Sequence, residues 1–398
     1  MNKEFLEQVE KEFLIRRIKR ATVISSGNIN STYRIEGDGA NYILQKVNKF
    51  VFKKPQEVMQ NIRRVSRFLE NKVLKEGGNQ KREVLHPIGT LDGNRFLIDD
   101  NGDYWRMYDL IEGAVTYDTV DSEEMFYKVG KAFGKFQNRL VEYNASTLHE
   151  AIPDFHNTPK RFTDFQLAII ADKAGRLQAI KGQNNHPLKK AIDYILSQED
   201  ELRIIEVGKI SGKLPIRVTH NDTKINNVMI DAETGEPICI IDLDTIGPDS
   251  CLVDFGDAIR SGANRAGEEP EQLDDAKLDI DLFRAYSQGY LSQTLAVDGN
   301  GQLNQDPKKG LTENEIQLLH KAPKILTLEL AMRFLGDYLN GDEYFKLKPN
   351  QPADINLRRG LTQMYLAQDM SAKEAEMKSI IDAIVEEKTK TEKSEDER

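Results

Sequence analysis

The sequence predicts an α+β protein in two parts, and three observations carry that prediction. Short apolar strands alternating with polar turns fill the first 110 residues around a single long helix. From Ser122 onward apolar residues recur at helical spacing, and one short β region, residues 218 to 244, interrupts those helices. With 398 residues, 39% of them hydrophobic, the chain can build a substantial core and divides naturally into two domains. The expected division is an N-terminal lobe over 1–110, a C-terminal lobe over 111–372, and a terminal helix with a charged, disordered tail over 373–398.

Residues 3 to 19 place Phe5, Leu6, Val9, Phe13, Leu14 and Ile18 near helical spacing and predict a covering helix. Strands follow at 22–25, 31–35 and 41–47, joined by the polar loop 26–30 and a Gly37-Asp38-Gly39 turn. A hairpin with a small polar tip can lay backbone N–H groups over phosphates. Pro55 to Lys72 reads as a helix with Val58, Ile62, Val65, Phe68 and Leu69 on one face, and strands are expected at 95–99 and 104–108. Leu110-Ile111-Glu112-Gly113 then breaks the pattern as a linker. Further helices are expected from Ser122 and at about 160–175, 187–206, 251–262, 278–294, 313–340 and 353–371.

A net charge of −10 and a pI near 5.4 oppose a surface built to grip nucleic acid or an anionic membrane. No window reaches the ~18 apolar residues of a membrane span, and the N-terminal segment lacks a signal-peptide apolar run, so a cytoplasmic location is expected. Cys239 and Cys251 sit in apolar stretches as buried thiols. The six histidines are scattered, which gives no support to a histidine metal site.

The chemistry concentrates in Val218-Thr219-His220-Asn221-Asp222-Thr223-Lys224-Ile225-Asn226-Asn227 and Ile238-Cys239-Ile240-Ile241-Asp242-Leu243-Asp244. Phosphoryl transfer asks a protein to align an acceptor hydroxyl, receive its proton and neutralise phosphate charge. Asp222 suits the proton. Asn227 and Asp242 supply the hard oxygens that Mg²⁺ prefers, with phosphate and water completing its shell. Lys224 stands two residues from Asp222, where a positive charge serves the transferring phosphoryl oxygens. His220 is expected to brace the loop.

Asp242 lies 20 residues after Asp222, the length that a loop, a hairpin and a return require; the turn is 231–236. A literal Asp254-Phe255-Gly256 lies 32 residues after Asp222 in a stretch that reads as a helix start. Asp254 and Asp257 are therefore expected to brace the catalytic loop from a helix N-terminus. Asp244 faces the same side as Asp242 if the strand continues.

On these residues the chain resembles the aminoglycoside phosphotransferase and choline kinase group, whose members share the bilobal protein-kinase-like fold. Within that group it is most similar to the bacterial N-acetylhexosamine 1-kinases. The similarity rests on Asn41-Tyr42-Ile43-Leu44-Gln45, Phe155-His156 with Thr158-Pro159, Arg217 to Lys224, Ile240 to Thr245, Asp254-Phe255-Gly256-Asp257 and Arg333-Phe334-Leu335. The resemblance implies an ATP- and Mg²⁺-dependent kinase acting on the anomeric hydroxyl of N-acetylglucosamine or N-acetylgalactosamine. It implies Asp222 as base, Asn227 and Asp242 as metal ligands, and Arg333 and Tyr344 at the sugar.

ATP would lie between the lobes, with adenine near Met107, Asp109 and Ile111 and its phosphates near Gly27, Asn28, Asn30 and Gln45. Two positions depart from the pattern. Gln45 stands where the third strand of kinases supplies a lysine, with Lys46 on the opposite face. Asn28 stands where the hexosamine kinases place a histidine that reaches the sugar. The competing readings are another small-molecule kinase of this fold and a nucleotide-binding regulator without catalysis.

Overall fold

The computed structural model describes residues 1–24, 29–298 and 300–396, the last four by backbone alone. The first elements in chain order are α1 (Lys3–Glu12), β1 (Ile18–Ile24), β2 (Ser31–Gly37), β3 (Asn41–Lys46), α2 (Pro55–Lys75), α3 (Gln80–Glu83), β4 (Leu97–Ile98), β5 (Tyr104–Asp109) and β6 (Ala114–Val115). Next come α4 (Glu123–Arg139), α5 (Thr158–Ala171), α6 (Arg176–Ala179), α7 (Pro187–Leu196), α8 (Glu199–Leu202), α9 (Ile204–Ile210) and β7 (Arg217–Thr219). The remainder holds β8 (Val228–Asp231), β9 (Pro237–Ile240), β10 (Gly247–Asp249), α10 (Cys251–Gly262), α11 (Ile280–Thr294), α12 (Glu313–Leu318), α13 (Ala322–Asn340), α14 (Ile355–Ala372) and α15 (Glu374–Asp396). Two compact units result, one of 1–116, 143–153 and 227–248, the other of 117–142, 154–226 and 249–398.

The smaller unit is built on an antiparallel sheet of order β1-β2-β3-β5-β4. Strand alternation sorts its faces. Leu44 and Met107, paired across β3 and β5, bury themselves with Ile35 and Trp105 under Val9 and Phe13 at the end of α1. The neighbouring pair, Gln45 and Arg106, belongs to the other face. Helix α2 buries Val58, Met59, Ile62, Val65, Leu69 and Val73 along one side. A second sheet, β6-β8-β9, contributes the antiparallel hairpin of β8 and β9.

The larger unit is helical. Phe162 and Phe165 of α5, Leu188 and Ile192 of α7, Leu328 and Leu335 of α13, and Leu361 and Met364 of α14 share one core. Helices α4 and α11 approach closely because Gly134 faces the backbone of Tyr290, where an added Cβ would lie 2.6 Å from the carbonyl oxygen.

Several boundaries differ from the sequence expectation. The first helix stops at Glu12, Leu14 turns the chain at φ 54°, and Ile18, which fits either periodicity, opens β1. The helical stretch 187–206 is three short helices, α7 to α9, running on to Ile210. The stretch 313–340 is two helices, since Pro323 lacks an N–H and occupies the first turn of α13. Residues 374–396, expected to end as a disordered tail, carry the backbone of α15.

Candidate active site

The candidate residues fall in both units. In the larger one, the loop after β7 is held by carboxylates from the first two turns of α10. Asp254 accepts from the backbone N–H of His220 at 2.9 Å with one oxygen and of Asn221 at 2.8 Å with the other. Asp257 accepts from Thr223 N at 2.9 Å, and the Thr223 hydroxyl donates to the Asp254 carbonyl at 2.6 Å. These bonds fix Asn221 at φ 63°, a left-handed turn that asparagine tolerates better than most residues. The bracing role expected of both aspartates is thus visible bond by bond.

His220 is fully buried, its ring edge-on to Phe133 and Phe136 of α4. Burial pushes the Asp254 carboxyl up to about 6, and the neighbouring His220 and the backbone N–H groups of His220 and Asn221 only partly offset it. Asp257, by contrast, is held below the usual carboxylate range: burial works against it, and Arg260 and Lys224 overcome that. Asp222 and Lys224 form an ion pair at 3.0 Å, and that neighbour raises the Lys224 ammonium to about 12.

His156 joins this loop to α13. One ring nitrogen lies 3.1 Å from the Asn221 carbonyl and the other 3.0 Å from Glu329. Burial alone would lower its pKa, but the Glu329 carboxylate raises it. Glu329 is one helical turn before Arg333, whose guanidinium lies 5.2 Å from the ring of Phe155, 5.8 Å from Tyr344 and 5.6 Å from Phe345. The loop carrying Tyr344 is pinned by Asp337, which accepts from the N–H groups of Tyr344 and Phe345 at 2.8 Å each. Arg161, bonded to the Phe155 carbonyl, has its proton affinity lowered by burial and then by the charge of Arg333. No local pattern in Phe155-His156 points to this bridge, which only the fold reveals.

In the smaller unit, the β8–β9 hairpin brings Asn227 and Asp242 to its open end. Val228 pairs with Ile240, and Ile241 N donates to the Asn227 carbonyl at 2.9 Å. The strand does not continue to Asp244. Asp242 takes the left-handed conformation, φ 59° and ψ 55°, and Leu243–Thr245 winds into a 3₁₀ turn. Asp244, buried in that turn, pairs with Arg106 at 2.5 Å and accepts from the Asn30 amide at 2.7 Å. Arg106 was absent from the sequence-level candidates.

Gln45 accepts from Arg106 Nε at 3.0 Å and Nη2 at 2.9 Å and donates to the Thr32 hydroxyl at 3.1 Å. Lys46, on the opposite face as expected, pairs with Asp103. Glu57 pairs with Lys54 at 2.9 Å. Met107 is fully buried in the sheet core, its carbonyl accepting from Ile88 N, and Asp109 ends β5. Gly27 and Asn28 lie outside the described residues.

Asn227 and Asp242 supply an amide and a carboxylate oxygen, a donor set suited to Mg²⁺. Among the described residues no cluster of three or more His, Cys, Asp or Glu side chains is arranged to hold a metal by protein ligands alone. Such a donor set therefore needs phosphate and water oxygens to complete an octahedron.

A family model described as phosphotransferase enzyme family matches residues 20–292. The chain belongs to this family. Solved structures show the same kinase-like fold, an antiparallel-sheet N-terminal region followed by a helical part. A microcompartment-associated aminopropanol kinase matches with a TM-score of 0.59 and 14% identity over 93% of this chain and 98% of the other. An aminoglycoside phosphotransferase from Alicyclobacillus acidocaldarius matches with a TM-score of 0.57 and 12% identity over 96% and 97%. The ADP-bound aminoglycoside phosphotransferase APH(2'')-Ib matches with a TM-score of 0.52 and 13% identity over 93% and 99%. As a member of this family, the chain is a phosphotransferase. Among the described residues no helix is long and apolar enough to cross a membrane.

Proposed function

We propose that this phosphotransferase is an ATP- and Mg²⁺-dependent kinase acting on the anomeric hydroxyl of an N-acetylhexosamine to give the sugar 1-phosphate. The observation that carries the reading is the company of Arg333. Phe155, Tyr344 and Phe345 could form the aromatic box that receives a quaternary ammonium or an amine, but Arg333 already takes up their ring faces. Arg161 adds a second guanidinium beside it. A third cation brought there meets repulsion, so choline, amino alcohols and aminoglycosides are disfavoured. A neutral sugar meets donors for its hydroxyl and acetamide oxygens, together with the half-exposed ring of Tyr344.

In this reading Asp222 receives the proton of the acceptor hydroxyl, and Lys224, paired with it at 3.0 Å, keeps a positive charge at the reacting oxygen. Asp254 and Asp257 hold the loop so that Asp222 need not reorganise. Asn227 and Asp242 would hold Mg²⁺, which when bound neutralises phosphate charge and orients the transferring group. The β1–β2 hairpin, closed by Asn30, would serve the nucleotide phosphates and the chain around Asp109 the adenine, while Gln45, bonded to Arg106 and Thr32, and Met107, buried in the sheet core, support the site from within the sheet.

The test is ATP consumption with Mg²⁺ against N-acetylglucosamine, N-acetylgalactosamine, glucose, galactose, choline and kanamycin. Turnover with the two acetamido sugars well above the rest is expected. Turnover confined to choline or kanamycin, or none with any sugar, sinks the proposal.

A further inference from the structure

Position 45 poses a physical problem for a kinase. A lysine on the third strand ordinarily brings a fixed positive charge to the nucleotide phosphates, and here glutamine stands in its place. The charge has not vanished from the sheet. Gln45 and Arg106 are direct partners in the antiparallel ladder between β3 and β5, and Thr32 faces Gln45 across β2 and β3. Three consecutive strands thus place Thr32, Gln45 and Arg106 in one row, linked side chain to side chain.

Arg106 is 1% exposed, and four of its five N–H donors have protein partners: two on the Gln45 oxygen, one on the Met59 sulfur at 3.8 Å and one in the ion pair with Asp244. It is therefore not placed to grip a phosphate itself. What it does is carry a buried positive charge to Asp244, two residues from Asp242. The second Asp244 oxygen accepts from Asn30, whose own amide oxygen accepts from Asn48 N at 2.9 Å. The row therefore runs from the third strand through Arg106 to the Asp242 turn and back to Asn30, the residue before β2.

We propose that Arg106 is a positioning residue that takes over, from the neighbouring strand, the fixed charge that a lysine at position 45 would carry. It compensates Asp244 and so sets the turn that presents Asp242, while Gln45 serves as its acceptor. Asp244 is correspondingly a structural anion rather than a metal ligand. This inference rests on the kinase reading, because the charge matters only if the hairpin end holds a metal nucleotide.

The test is a charge swap between two ladder partners. Binding of ADP, with and without Mg²⁺, is measured by calorimetry for the full chain and for Arg106→Gln, Gln45→Lys and the double variant, with thermal unfolding recorded for each. Arg106→Gln is expected to weaken Mg²⁺-dependent ADP binding at least ~30-fold by leaving Asp244 uncompensated. Gln45→Lys alone is expected to weaken it ~10-fold or more, because two cations then share one buried spot. The double variant returns one charge to the row and is expected to bind within ~5-fold of wild type.

A folded Arg106→Gln protein that binds like wild type overturns the proposal, as does a double variant no better than the worse single one. Should Arg106→Gln fail to fold, the double variant decides: folding with binding upholds the charge relocation, and failure of either overturns it. Wild-type protein that binds no ADP even with Mg²⁺ brings down the kinase reading itself, whereas wild-type binding with a null swap removes only this inference.

Discussion

Asp254 and Asp244 are both buried carboxylates beside the candidate chemistry, yet their charges are met in opposite ways. Asp254 faces two backbone N–H groups of the loop that carries Asp222, dipoles without net charge. Asp244 faces the guanidinium of Arg106 and one amide. Dipoles give direction without neutralisation, so Asp254 shapes a loop and keeps an elevated pKa. A guanidinium gives neutralisation as well, so Asp244 can sit dry beside another aspartate. A motif search that prizes Asp254-Phe255-Gly256 therefore finds the brace and misses the charged turn.

The largest expected effect separates both braces from the groups they serve. Asp222→Asn should lower turnover by about 10²–10⁴-fold through loss of the base, and Asp242→Asn should do likewise through loss of metal, each with an unfolding midpoint near that of wild type. If Asp254→Asn removes metal-dependent nucleotide binding in a folded protein while Asp242→Asn does not, the metal assignment belongs to Asp254.

Next in size is the cost of breaking each brace. Arg106→Met leaves Asp244 buried against no cation and should cost about 3–5 kcal/mol in denaturant unfolding. Asp254→Asn keeps one acceptor for two N–H donors and should cost about 1–3 kcal/mol. Equal losses would erase the distinction between a charge and a dipole brace.

The subtlest effect is on pH. The folded Asp254 pKa of about 6 exceeds the ordinary carboxylate value of 3.8, so the native state holds this proton more tightly than the unfolded chain. Its contribution is fully present below about pH 4 and is lost as pH rises through about 6, at most about 3 kcal/mol over that window. Urea unfolding at pH 4.5 and 7.0 should therefore show wild type gaining on Asp254→Asn at the lower pH. An unchanged difference between the two proteins at both values would refute the assignment.

Much of this was legible in the sequence for local reasons. Hairpin geometry ties Asn227 to Asp242 through spacing alone, and the apolar run after Ser250 marks a helix whose early carboxylates can turn back on a loop. Strand alternation correctly sent Lys46 away from Gln45. What was not legible depends on partners remote in sequence or on backbone turns. Arg106 meets Asp244 after a separation that no local pattern encodes. The strand expected to reach Asp244 ends early because Asp242 takes a left-handed conformation. Ile18 satisfied a helical and a strand period at once, and only the Leu14 turn decides between them. Asn28 and Gly27 fall outside the described residues and add nothing to this comparison.

The His156 bridge has a mechanical consequence. It clamps the Asn221 carbonyl to Glu329, one turn along α13 from Arg333. On the proposed sugar assignment, a substitution that shifts α13 would also pull on the loop bearing Asp222 through this bridge. The loop around Tyr344 is tied instead to Asp337, so on the proposed sugar assignment a change confined to it would leave the His156 bridge in place.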